Sequence, residues 1–149
     1  MRASRVDAVL LAAVAATAGC GVPLASSFDD ARMKHYLPGP DRALIYVYRD
    51  DAVAFRFHMP VDLDGLPYGA TVARTYMVFE VPPGPHLLVS HAENLSTLLL
   101  RTEPGRRYFV WQAVRVGLTK PRSELQEMPD VYGAIRLGMC QLIAMPLPR

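Results

Sequence analysis

Thirteen prolines spread through 149 residues constrain this chain more than any other feature. Each proline removes a backbone donor and clashes with the preceding helical turn, so long helices are excluded and short extended runs between turns are favoured. The sequence between the prolines has that form. Ala43–Arg49 places Leu44, Tyr46 and Tyr48 on one side of a strand and Ile45 and Val47 on the other, so both faces are expected to be covered. Phe55–Leu63 is a second candidate strand, closed by Asp64-Gly65, a dipeptide suited to the positive φ of a tight hairpin, with Tyr68–Ala73 returning from it. Thr75–Val81 alternates Met77, Phe79 and Val81 against Tyr76, Val78 and Glu80. The turn Pro82-Pro83-Gly84 follows, and a strand starting at His86 reads as its hairpin partner. Leu95–Thr102 and Arg107–Val116 follow, the latter carrying Trp111 toward the core, and Glu124–Met128 is the last strand candidate. Val131, Ala134, Ile135 and Leu137 stand at near-helical spacing after Asp130, read as an N-cap. The tail Ile143–Arg149, with Pro146 and Pro148, is expected to be loose or to lie as an extended edge. The expectation is an all-β protein: a single β-sandwich of about seven to eight mostly antiparallel strands, with a short helix near the C-terminus.

The first residues have a different character. Arg2 and Arg5 precede an unbroken apolar run, Val9–Ala16, which is the layout of an export signal. A permanent membrane span needs about 20 apolar residues, so this run is read as removable. Thr17-Ala18-Gly19-Cys20 resembles the bacterial lipobox, in which small residues precede a cysteine that is acylated, with palmitate among its chains, and becomes the new N-terminus. Thr17 stands where leucine is usual. The alternative is an ordinary signal peptide cut nearby, with Cys20 incidental. Gly21 in place of aspartate after the cysteine favours, by resemblance to Gram-negative lipoprotein sorting, the outer membrane over the inner. The expected organisation is a lipoprotein signal peptide at 1–19, a lipidated N-terminus and flexible tether at 20–41 with one short helical turn around Asp29–His35, and the β-sandwich at 42–149. Such a protein sits in the cell envelope, lipid-anchored and facing the periplasm.

Composition narrows the function classes. Hydrophobic residues make up 51% of the chain and charged residues 20%, enough for a folded core. The net charge of +2 comes from scattered arginines, which argues against a nucleic-acid binder. With Cys20 lipidated, Cys140 is a single thiol among Met139, Leu142 and Ile143, and the reading is a small buried hydrophobe. His35, His58, His86 and His91 lack the spacing of a metal site, and Asp62-Leu63-Asp64-Gly65 lacks the later ligands of a calcium loop. No Gly-x-Ser-x-Gly elbow is present, no cofactor is called for, and Asn94-Leu95-Ser96 is read as a chance sequon. Arg49, Arg106 and Arg107, with Arg115 and Arg122, are the candidate ligand-binding residues of a cationic face, set against the alternative of solvated charges or structural ion pairs.

Several motifs recur in a known order: Ile45-Tyr46-Val47-Tyr48-Arg49; Val61-Asp62-Leu63-Asp64-Gly65 with Gly69 after it; Val81-Pro82-Pro83-Gly84-Pro85-His86; and Gly105-Arg106-Arg107-Tyr108-Phe109-Val110. From Ala43 to about Leu142 the chain resembles an uncharacterised domain of small Gram-negative lipoproteins, a domain of unknown function whose β-sandwich is related to PEGA and transthyretin-like modules. Pro67 and the C-terminal stretch depart from that pattern. The resemblance implies fold and location and supplies no catalytic residues. The function expected is therefore a non-enzymatic envelope lipoprotein whose sandwich offers a binding or scaffolding surface, with an envelope protein as partner. The alternative is a glycan- or lipid-binding module using the arginine-bearing face and exposed aromatics such as Tyr68 and Tyr76.

Overall fold

A computed structural model of the protein describes residues 21–149. Cys20 and the export segment lie outside the described residues. The chain runs through α1 (Ser27–His35), β1 (Ala43–Arg49), β2 (Met59–Leu63), β3 (Leu66–Thr71), β4 (Thr75–Val81), β5 (Gly84–His91) and β6 (Leu95–Thr102). It continues through β7 (Arg107–Arg115), β8 (Arg122–Met128), α2 (Asp130–Leu137) and β9 (Gln141–Leu142). A five-stranded sheet in the order β8-β7-β1-β4-β9 packs on a four-stranded sheet in the order β3-β2-β5-β6. This is the expected sandwich, with a two-residue β9 as its ninth strand. All pairings are antiparallel except β1 with β7 and β4 with β9.

β1 holds the centre because all seven of its residues are buried. Ala43, Ile45 and Val47 face the second sheet and pack with Val61, Leu63, Met77, Phe79, Leu88, Leu100 and Val110. Leu44, Tyr46 and Tyr48 face the other way and form a second core with Tyr76, Phe109, Leu137 and Leu142. The rings of Tyr46 and Phe109 stack at 5.1 Å. A buried polar chain also crosses the sandwich: Thr71 bonds Gln112, Gln112 Nε2 donates to Ser90 Oγ (2.6 Å), and Ser90 Oγ meets Ser123 Oγ at 2.7 Å. Each of these groups is paired, so the network costs little and fixes the sheets against sliding.

The helical turn expected around Asp29–His35 is present as α1, but that second core corrects the flexible tether, since the described part of 20–41 folds onto the domain. Ser26 caps α1 by accepting from the Asp29 amide (3.0 Å), and Met33 is fully buried. Tyr46 donates its hydroxyl to the Met33 carbonyl at 2.7 Å, and the Leu142 amide donates to Asp30 at 2.9 Å. The outer aromatic face of the sheet needs a cover, and a polar helix with one buried methionine supplies part of it.

Four further expectations are corrected. Residues 51–58 form a loop rather than the start of a strand at Phe55, because Arg49 gathers their carbonyls. β4 and β5 are not a hairpin: they belong to different sheets. Pro82 and Pro83 donate nothing to a ladder, and Gly84 (φ 134) turns the chain across the sandwich. Trp111 is only half-buried, its indole N–H donating to Asp50 at 2.9 Å. Asp130 is the first residue of α2 rather than its cap, where its charge still suits the helix N-terminus. The Asp64-Gly65 turn is as read, with φ of 52 and 81.

Candidate functional site

The three candidate arginines do not converge. β1 and β7 run parallel with Leu44 beside Arg107, so Arg106 and Arg107 lie at one end of the sandwich and Arg49 at the other. Arg49 is fully buried, which removes it from any ligand-binding face. Its guanidinium bonds Asp51 Oδ2 (2.7 Å) and the carbonyls of Phe57 (2.6 Å), Ala54 (2.8 Å) and Val53 (3.2 Å). Arg106 pairs with Glu103 at 2.8 Å, Arg107 stands 3.7 Å from Asp130, and Arg115 pairs with Glu124 at 2.8 Å. Tyr76, named as an exposed aromatic, is buried, whereas Tyr68 is 44% exposed. Asn94 spends its side-chain amide on the backbone of Ser123, at 2.9 Å in both directions.

Among the described residues no group of three or more His, Cys, Asp or Glu is placed to hold a metal. His86 and His91 each take one aspartate, Asp64 and Asp62, at 2.7 Å. His86 also meets the Pro82 carbonyl through Nε2 at 2.7 Å, so both ring nitrogens face oxygen atoms. Desolvation raises the Asp64 carboxyl, but hydrogen bonds from His86 and the Leu87 amide, with the His86 charge, leave it below its ordinary value.

Cys140 is buried, its Sγ 3.6 Å from the carbonyls of Arg49 and Arg136. Burial pushes the thiol up to about 12, with the Asp50 charge adding to the effect. It is no nucleophile at neutral pH. Iodoacetamide should leave Cys140 unmodified in the native protein at mildly alkaline pH and alkylate it fully in denaturant, as read by intact mass.

Two places remain open. The first is a cleft of about 500 Å³ where the outer edges of β3 and β4 approach each other. Leu66, Tyr68, Phe79 and Val81 line it, Met145 and Leu147 of the tail close one side, and the Asp64–His86 pair stands at its end. Tyr68 meets Phe79 edge-on at 5.0 Å. β9 pairs only with Thr75 and Tyr76 of β4, and the Ile143 amide donates to the Tyr76 carbonyl at 3.0 Å. Alternate residues point their backbone groups the same way, so Val78 and Glu80 face that edge without a strand partner among the described residues. The Glu80 carbonyl takes a bond from Arg42 at 3.1 Å instead. Past this point Pro146 and Pro148 leave the tail two amide donors short.

The second place is at the opposite end, where the β7–β8 loop is held by one carboxylate. Glu93 accepts from the amides of Thr119 (2.7 Å), Leu118 (2.9 Å) and Lys120 (3.0 Å) and from the Thr119 hydroxyl (3.0 Å). The backbone bonds of Thr119, Leu118 and Lys120 pull the carboxyl down to about 2. A depressed carboxyl stabilises above its unfolded value and loses that effect as pH falls through its folded value. The loop amides should therefore stay protected from exchange through the ordinary carboxylate range and open only as pH nears about 2. Glu93→Gln should expose them at neutral pH. Amide exchange followed by NMR reads both.

These features define a two-sheet β-sandwich protein whose β4 edge has a strand partner only at Thr75 and Tyr76 among the described residues. A protein of Haemophilus influenzae (strain ATCC 51907 / DSM 11121 / KW20 / Rd), described only as uncharacterized, is 25% identical over 134 residues, covering 89% of this chain and 77% of that protein. No family model matches the chain. No solved structure matches it.

Proposed function

We propose that this chain is a non-enzymatic, lipid-anchored envelope protein whose sandwich receives an extended segment of another envelope protein at the β4 edge. The observation that carries the reading is the run at Val78 and Glu80 without a strand partner beside an apolar cleft: Val78 is 1% exposed, so an incoming segment would take the place of the Met145–Leu147 tail, with edge groups supplying main-chain affinity and the cleft side-chain selectivity. The apolar run Val9–Ala16 and the lipobox-like Thr17–Cys20 support export, acylation at Cys20 and a periplasm-facing position, with Gly21 favouring the outer membrane. The likeness to small PEGA- and transthyretin-related lipoproteins accords with it. The rival reading, glycan or lipid at Arg106 and Arg107, has to displace the carboxylates of Glu103 and Asp130.

Intact mass and membrane fractionation of the wild type beside Cys20→Ala test the anchor. An acylated Cys20, with membrane retention lost in the variant, is the expected result. Cross-linking in intact cells, compared with a Leu66→Asp/Tyr68→Ser variant, tests the edge. A partner captured by the wild type should be lost by at least about tenfold, since two apolar contacts each contribute roughly 1.5 kcal/mol or more. Capture of no envelope protein, or equal capture by both, sinks the binding reading.

A further inference from the structure

We propose that the end of the sandwich carrying Val53, Phe55, Val116 and Leu118 docks on a bilayer surface bearing anionic lipids. Its orientation rests on the lipid-anchor reading above. Val116 and Leu118 are 96% and 95% exposed, and Val53 and Phe55 are 70% and 63% exposed. The loops that carry them border one another, Asp51, Val53 and Ala54 facing Val114–Pro121 across a shallow depression. Neither loop is slack. Arg49, a buried cation, collects the carbonyls of the first, and Glu93 collects the amides of the second. Both frameworks hold apolar side chains outward, which costs solubility unless the patch meets an apolar phase.

The charges around the patch match an anionic surface. Asp51 is taken by Arg49, Glu124 by Arg115 and Glu93 by the loop amides. Arg56, Lys120 and Arg122 are exposed and form no ion pair among the described residues. The Arg56 guanidinium lies over the Phe55 ring at 5.3 Å. An apolar tip ringed by unpaired cations is the arrangement that partitions into the headgroup layer.

The chain's own geometry points the same way. Arg49 pairs with Thr75, and Thr75 with Gln141, so the ends of β1 and β7 and the starts of β4 and β9 share one end of the sandwich. Gly21, the neighbour of Cys20, lies beside Thr75 and Gln141. From β7 to β9 is three strand spacings, about 15 Å. Lipid on Cys20 would therefore enter the bilayer beside the apolar loops, and the two contacts would set the domain upright.

The test uses the purified mature protein on vesicles, with an environment-sensitive fluorophore on Leu118→Cys or, as reference, on Leu99→Cys in β6. On phosphatidylcholine vesicles containing phosphatidylglycerol, the probe at 118 should shift to the blue and resist an aqueous quencher, while that at 99 should do neither. Adding Phe55→Ser, or Lys120→Glu with Arg122→Glu, should raise quenching at 118 by about tenfold. Equal quenching at the two positions, or shielding at 118 that survives both sets of changes, overturns the proposal. Intact mass reports acylation of Cys20 separately, so an unlipidated protein that still shields position 118 fails the anchor reading alone, and a lipidated protein that does not shield it fails the docking alone.

Discussion

Gly133→Ala should lower the stability of this protein by about 2 kcal/mol or more, although alanine is the better helix former by about 1 kcal/mol. Gly133 is buried in α2 against Phe109, and a Cβ built there would lie 2.2 Å from the Phe109 Cβ and 2.3 Å from its Cγ. Neither partner has room to yield. Phe109 belongs to β7, which is clamped between β1 and β8, and its ring stacks on Tyr46. α2 must therefore lift off the sheet, uncovering Leu137 and the aromatic core beneath it. Denaturant midpoints read the loss. Phe109→Gly, which removes both clashing atoms, should make the cost of the added alanine methyl smaller, and a double-mutant cycle without coupling would mean that the clash is relieved elsewhere.

Arg49→Met should cost about 3–5 kcal/mol, because the lost guanidinium leaves buried acceptors unpaired. Three carbonyls and one carboxylate converge on this fully buried side chain, and methionine fills the volume without replacing any donor. Arg49→Lys keeps the charge but cannot span acceptors held by a planar fork, so it should recover only part of the loss. Limited proteolysis in 50–58 should rise with the instability. A variant as stable as the wild type, with that loop intact, would refute the role given to Arg49.

Much of the strand content was legible because it is local chemistry. Leu44–Tyr48 announces a strand buried on both faces, Asp64-Gly65 a tight turn, and the alternation in Thr75–Val81 ends where β4 ends. What stayed hidden depends on partners far along the chain. Nothing near Thr75–Val81 says that the next strand joins the other sheet, since Pro82-Pro83-Gly84 suits a hairpin or a crossing equally. Arg49 reads as one more scattered cation until β1 proves central and its end sinks into the fold. The open edge depends on a two-residue β9 and on a proline-bearing tail that follows it, and neither carries periodicity. Val116 reads as the end of a strand, yet it and Leu118 stand in water because Glu93, more than twenty residues earlier, draws the backbone into a loop.

The length of β1 has a spatial consequence for the proposed role. The apolar loops and Gly21 lie at the Arg49 end of this strand, and the cleft at Leu63, Val81 and His86 lies toward the Ala43 end. Seven residues at about 3.3 Å each make a rigid riser of roughly 20 Å. Standing on a membrane by its loops, the domain would carry its cleft at that height above the headgroups. A partner anchored in the same leaflet would then need some six or more extended residues to climb to it, at about 3.3 Å per residue, so stature joins sequence as a criterion for which neighbours can bind.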